Sequence, residues 1–255
     1  MYKINKIINN NVLLSTLRNV HINLYSVLYK TILLLDKYKI NYSIFGGNVL
    51  GYLRNKEIIL WDDDIDLVIL DTDLHKLYNK EFINDCYENN LNIIKEIING
   101  QPDIYHIFNN KEKVFNDIII MNQKQYQSSN NPFGKKILGS SKQLDIFIYT
   151  RNNITNMCDY LYNSPWQNRF INYNDFVNST IVSFGPLKVK LIRNPHNYLS
   201  TFIKGDYINK EFVITHLHNN LLKYIFKNLP YRLTNDEINI VKKFTFNINL
   251  NELVL

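Results

Sequence analysis

The stretch that most constrains the fold sets a run of charge directly against a run of hydrocarbon: Trp61-Asp-Asp-Asp-Ile-Asp66, then Leu67-Val-Ile-Leu70. Asp62, Asp63, Asp64 and Asp66 crowd into five positions. The segment Ile65–Leu70 is apolar enough for burial on both faces, which suits an interior strand. Side chains two apart on an extended chain share a face, so Asp64 and Asp66 are expected to point the same way while Ile65 enters the core. Carboxylates held this close raise each other's pKa, and a divalent cation removes that penalty. An all-oxygen, acidic donor set suits Mg2+ or Mn2+. Any fold this chain adopts has to seat an acidic knot at the mouth of a buried sheet.

The residues upstream add a second kind of chemistry. Asn41–Phe45 reads as a short strand running into a tight Gly46-Gly47 turn, and Asn48–Asn55 as a short helix. Gly46 and Gly47 allow backbone to approach a phosphate closely. The helix behind them is expected to offer free N–H groups and the positive end of its dipole. Arg54 and Lys56, near the helix end, are candidates for further phosphate oxygens. A third carboxylate, Asp145, stands inside the apolar segment Leu144–Tyr149. A lone buried carboxylate is costly, so Asp145 needs a partner or a metal. Each feature alone has a plain reading: a solvated turn, an ordinary Gly-Gly turn, a strand-end hydrogen bonder, surface charges. Their occurrence together points to a phosphate-and-metal site.

Elsewhere the pattern alternates helix and strand. Residues 12–39 have the three-, four- and seven-residue apolar spacing of an amphipathic helix, and 73–86 read as another helix. Residues 91–122 hold short strands, and 123–141 look like a long polar loop. Segments 180–184 and 187–192 flank Gly185-Pro186 as a hairpin. Helices are expected at 195–203, 215–226 and 235–244. Trp61 reads as a packing residue and His106 as a satisfied core histidine. His216 and His218 are two apart on a helix and do not share a face.

Composition narrows the function classes. The chain is 45% hydrophobic and 20% charged, ordinary for a globular protein. About 40 residues are Asn and none is Ala, the mark of AT-rich coding, which weakens propensity arguments because the best helix former is absent. The net charge of +6 suits an anionic partner. The basic residues are scattered singly, however, so a Lys-rich surface fits better than a nucleic-acid patch. Two cysteines without metal-ligand spacing argue against structural zinc and a disulfide scaffold. No signal-like N-terminus or membrane-length apolar run is present, so a cytoplasmic, soluble chain is expected.

The block Gly46, Gly47, Leu50, Gly51, Arg54 and Trp61-Asp-Asp-Asp-Ile-Asp66 resembles the signature of the LicD/fukutin phosphotransferases within the nucleotidyltransferase superfamily. Leu144-Asp-Ile-Phe147 resembles that family's third-Asp strand. Phe184-Gly185, Pro195, Tyr198-Leu199 and Gly205-Asp206-Tyr207 resemble its closing stretch. Asn48 stands where Thr is usual, Glu57 and Leu60 replace Gly and Pro, and Lys204 replaces an aromatic residue. The resemblance implies an α/β (α+β) nucleotidyltransferase fold, a mixed central sheet flanked by helices. Residues 1–210 would form that domain and 211–255 a helical extension packed on it.

It further implies a CDP-linked donor, such as CDP-choline or a CDP-alditol, a glycan hydroxyl as acceptor, and CMP as product. Asp64, Asp66 and Asp145 would hold Mg2+ (or Mn2+), with Asp145 a ligand or a general base. Gly46, Gly47, Asn48, Arg54 and Lys56 would position phosphates, and Asp62 and Asp63 would act as supporting or capping residues. Two rival readings stand beside it: a nucleotidyltransferase moving NMP from an NTP to a small molecule, protein or RNA, and an inactive nucleotidyltransferase-fold binding module.

Overall fold

A computed structural model of the chain describes residues 3–98, 101–109, 119–122, 144–160, 169–201, 203–208, 213–214 and 231–253. The chain opens with helices α1 (Lys3–Ile8) and α2 (Asn11–Lys37). Strand β1 (Tyr42–Ile44), helix α3 (Gly46–Asn55) and strand β2 (Ile65–Leu70) follow. Helices α4 (Leu74–Leu77) and α5 (Lys80–Glu88) lead into β3 (Leu91–Ile98), β4 (Gln101–Asn109) and β5 (Ile119–Asn122). Then come β6 (Leu144–Asn152), β7 (Met157–Tyr160), β8 (Ile171–Asn172) and α6 (Tyr173–Val177). The hairpin β9 (Thr180–Phe184) and β10 (Leu187–Leu191) precedes α7 (Pro195–Ser200). Short strands β11 (Val213–Ile214) and β12 (Tyr231–Arg232) and helix α8 (Asn235–Lys243) follow.

Among the described residues eight strands form one mixed sheet, with β1-β2-β6-β4-β3-β5 side by side and β7 and β8 extending from the far end of β6. Its centre is the parallel pair β2 and β6. These are the two strongly apolar segments, each interrupted by a single aspartate, that the sequence reads as interior strands. Leu67, Ile69, Ile146 and Ile148 are fully buried, and Leu24, Leu28 and Leu35 of α2 join the same core. Cys86 and Cys158 are buried free thiols. Among the described residues no helix is long and apolar enough to cross a membrane.

A second, smaller core joins distant parts of the chain. Ile4, Leu17, Leu60, Trp61, Leu233, Ile238, Val241 and Phe246 pack together. Trp61, only 7% exposed, is therefore a packing residue, as its sequence setting suggests. The cluster pins the loop that leads into the acidic run between both ends of the chain.

Several boundaries differ from the sequence expectations, for local reasons. The helix expected over 73–86 is broken at Tyr78-Asn79, because the Asn79 side chain accepts from Glu81 N–H at 2.9 Å and starts α5 afresh. Helix α3 begins at Gly46, so the double glycine is its first turn. Helix α7 ends at Ser200, short of residue 203. The expected loop 123–141 and helix 215–226 lie outside the described residues.

Candidate metal and phosphate site

The register of the central strand pair sets the site. Asp66 of β2 lies opposite Asp145 of β6 in the parallel ladder. Partners in register share a face, so two carboxylates from segments far apart in sequence stand side by side. Asp145 is 7% exposed, and the residues flanking both aspartates, Ile65, Leu67, Leu144 and Ile146, are fully buried.

The loop before β2 brings in three more. Carboxylate oxygens of Asp62, Asp63 and Asp64 lie within 4.8 Å of one another, a grouping that can hold a metal ion. Burial, and then the charges of Asp64 and Asp145, push the Asp66 carboxyl well above the usual carboxylate range. Burial, and then the charges of Asp64, Asp66 and Asp63, do the same to Asp62, which also hydrogen-bonds Asp64. Ionising such a group needs positive charge close by. Hard oxygen donors in this number fit Mg2+ or Mn2+.

From the sequence, Asp64 and Asp66 are expected together, with Asp62 and Asp63 in supporting roles. The geometry groups Asp62 and Asp63 with Asp64. The reason is that β2 starts only at Ile65. Residues 62–64 are irregular backbone, where the two-residue alternation of a strand does not separate neighbours.

The first turn of α3 closes the other side. Gly46 has φ +53, and a Cβ there would collide with Oδ2 of Asp66. A Cβ on Gly47 would sit 3.1 Å from Oδ2 of Asp62. The two glycines thus let two carboxylates lie against a helix N-terminus, whose dipole favours negative charge. The N–H groups of this turn are engaged within the protein. Gly46 N–H donates to the Tyr198 hydroxyl at 3.1 Å, and Asn48 N–H to the Phe45 carbonyl at 3.0 Å. Gly47 N–H bonds the Asp66 carboxylate, which counters part of its upward shift. An anion of the protein itself, Asp66, is thus seated at this helix start.

Asn48 also works on the acidic strand. It is 1% exposed. Its Oδ1 accepts from Asp66 N–H at 2.5 Å, and its Nδ2 donates to the Asp64 carbonyl at 3.4 Å. The Asn48 amide therefore fixes the backbone of both aspartates.

Arg54 and Lys56 lie at the opposite end of α3, roughly 12 Å or more along its axis from Gly46. The Arg54 guanidinium donates twice to the Tyr207 carbonyl, at 3.0 and 2.6 Å. Burial lowers its pKa to about 10. Lys56 caps the helix at φ 62, with its ammonium 3.9 Å from the centre of the Tyr52 ring. After Gly51, where a Cβ would meet the Glu57 carbonyl at 2.5 Å, the chain folds back along the helix toward Asp62.

Arg169 and His21 gave no signal in the sequence, and Tyr198 entered it only as part of the stretch that resembles the family's closing motif. The positive charge of Arg169 acts on Asp66, Tyr149 and Tyr198, and its carbonyl accepts from the Tyr149 hydroxyl at 3.0 Å. Tyr198 reaches the site from α7. His21 of α2 lies beneath the acidic loop. Burial pushes its pKa down to about 4, while backbone hydrogen bonds to Asp62 and Leu60 pull the other way. In the ladder of β4 with β6, His106 is the partner of Asp145. The His106 side chain, His216 and His218 lie outside what is described.

Residues 39–194 match the family model described as LicD/FKTN/FKRP, nucleotidyltransferase domain. That span is more than half of the chain and includes Asp62, Asp63, Asp64, Asp66 and Asp145. The chain is also similar to the lipopolysaccharide cholinephosphotransferase LicD of Haemophilus influenzae, 32% identical over 98 residues. The match covers 34% of this chain and 37% of that protein. The chain therefore spans about a third of the length of this relative. With the mixed sheet, the flanking helices and the acidic strand pair in place, the chain belongs to the LicD/FKTN/FKRP nucleotidyltransferase-domain family.

Proposed function

We propose that the chain is a metal-dependent phosphotransferase that moves a phospho-group, of the phosphocholine or phospho-alditol type, from a CDP-linked donor to a glycan hydroxyl. The observation that carries this reading is the in-register pair Asp66 and Asp145, with Asp62, Asp63 and Asp64 crowded beside it. The family match supports the transferase chemistry, and similarity to a lipopolysaccharide cholinephosphotransferase supports phosphocholine as the type of group moved.

Asp64, Asp66 and Asp145 hold the ion, and Asp62 and Asp63 complete its acidic surroundings. Mg2+ or Mn2+, when bound, neutralises charge on the donor diphosphate and on the departing phosphate. Gly46 and Gly47 give the carboxylates room, and Asn48 fixes the backbone of Asp64 and Asp66. Arg169 supplies positive charge on the side of Asp66. Arg54 and Lys56 take a structural role at the far end of α3. In the transfer, the acceptor oxygen bonds the phosphorus that carries the head group. The bond from that phosphorus to the bridging oxygen breaks, CMP leaves with the oxygen, and the hydroxyl proton passes to a carboxylate of the cluster.

A donor screen tests this. CDP-choline, CDP-ribitol and free NTPs are incubated with the chain and a glycan acceptor, with and without Mg2+. Metal-dependent CMP release from a CDP-linked donor is the expected result. Nucleotide incorporation from an NTP, with pyrophosphate released, overturns it in favour of NMP transfer.

A further inference from the structure

Helix α3 starts without a capping side chain. Its N-cap position holds Phe45, in extended conformation, and a phenyl ring accepts no hydrogen bond. Helices commonly fill this position with Ser, Thr, Asp or Asn, because the first N–H groups otherwise lack partners. Here Gly46 N–H finds its acceptor 152 residues away, in the Tyr198 hydroxyl.

That hydroxyl is firmly held. Tyr198 is 3% exposed. Its ring packs on Phe45 with centroids 5.1 Å apart, and Phe45 packs in turn on Phe147 and Tyr149 at 5.3 Å each. The segment that carries it is tied to α3 a second time, where Arg54 donates to the Tyr207 carbonyl. Burial, and then the neighbouring Tyr149, raise its pKa, so the phenol stays neutral.

The turn so fixed touches the acidic site directly. Gly46 leaves no space between its Cα and Oδ2 of Asp66, and the next N–H, that of Gly47, bonds the same carboxylate. A shift of this turn is therefore a shift of Asp66. Resting on the metal site of the proposed function, we propose that Tyr198 is a positioning residue. Its hydroxyl supplies the N-cap that α3 lacks, and so holds the Gly46-Gly47 turn where it orients the Asp66 carboxylate for a divalent cation.

The test uses the full chain as wild type, Tyr198→Phe and Tyr198→Leu. Mn2+ alone is titrated calorimetrically, melting temperature is recorded, and Gly46 amide exchange is followed by NMR. Tyr198→Phe keeps the ring and loses only the oxygen. It is expected to melt within a few degrees of wild type, to bind Mn2+ about 10-fold more weakly, the scale seen when a partner of a metal ligand is removed, and to exchange the Gly46 amide faster. Tyr198→Leu should also lose melting temperature.

Unchanged Mn2+ affinity or unchanged Gly46 exchange in Tyr198→Phe overturns the proposal. So does a Tyr198→Phe that melts as low as Tyr198→Leu, which makes the side chain a packing residue. A wild type that binds Mn2+ but releases no CMP removes the phosphotransferase reading alone, and the comparison of affinities still decides the role of Tyr198. A wild type that binds no Mn2+ removes both.

Discussion

Replacing Gly46 with Ala drives a methyl group into Oδ2 of Asp66 on a backbone at φ +53. Strain of this kind costs about 1–3 kcal/mol, so Gly46→Ala should lose that stability in urea unfolding and weaken Mn2+ binding in titration. Asn48→Leu keeps the branched shape and heavy-atom count but leaves Asp66 N–H without its acceptor in a buried place. The expected loss is about 1–3 kcal/mol, checked by the same unfolding experiment. Asp62→Asn should act in the opposite sense on stability. The folded-state pKa of Asp62 is raised, so its contribution to stability is present below the unfolded pKa and lost as pH rises. Near neutral pH and without metal, the Asn variant should therefore unfold at higher urea than wild type. The prominence of Asp66 and Asp145 is legible in sequence, because each is a carboxylate in a hydrocarbon run. The parts of Tyr198 and Arg169 are not, because their neighbours in space come from distant segments and nothing local marks the contact.

At the scale of elements, the interior strands are read correctly from their apolar runs, and the hairpin β9–β10 from Gly185-Pro186. The start of α3 is misread by two residues because Gly46 and Gly47 suggest a turn, whereas space for carboxylates is what demands glycine there. The break between α4 and α5 is missed because apolar spacing continues across it while the Asn79 cap decides the backbone. The second core makes its own prediction. Trp61 packs among residues from α1, α2 and α8. Trp61→Ala should cost about 3–5 kcal/mol in chemical denaturation, and CDP affinity measured below the transition should stay near wild type, since the ring is not a base platform. His21 beneath it titrates in the acid range. Its folded pKa is depressed to about 4, so the stability it contributes is present above about pH 6.5 and falls away as pH drops toward the folded value. His21→Phe should flatten that part of the pH–stability curve.

The whole molecule combines an acidic cluster with a net charge of +6. A net positive charge favours approach of the anionic donor of the proposed function, and the cluster itself calls for a cation. The class of fold follows from alternating helix and strand, but the strand order does not. That β4 lies between β6 and β3 depends on long-range pairing that no local pattern records. Metal and proton compete for one set of carboxylates, so stabilisation of the chain by Mn2+ should grow as pH rises from about 4. Thermal shifts at pH values across the acid and neutral range check this.

The most direct measurement is CMP release from CDP-linked donors by wild type, Asp64→Asn and Asp66→Asn, near neutral pH, with and without Mg2+. The expected result is turnover only with the metal, and a fall on the order of 100-fold or more in both variants, the scale of losing a main electrostatic contribution, with melting temperatures at or above wild type. Near-normal turnover in either folded variant contradicts it.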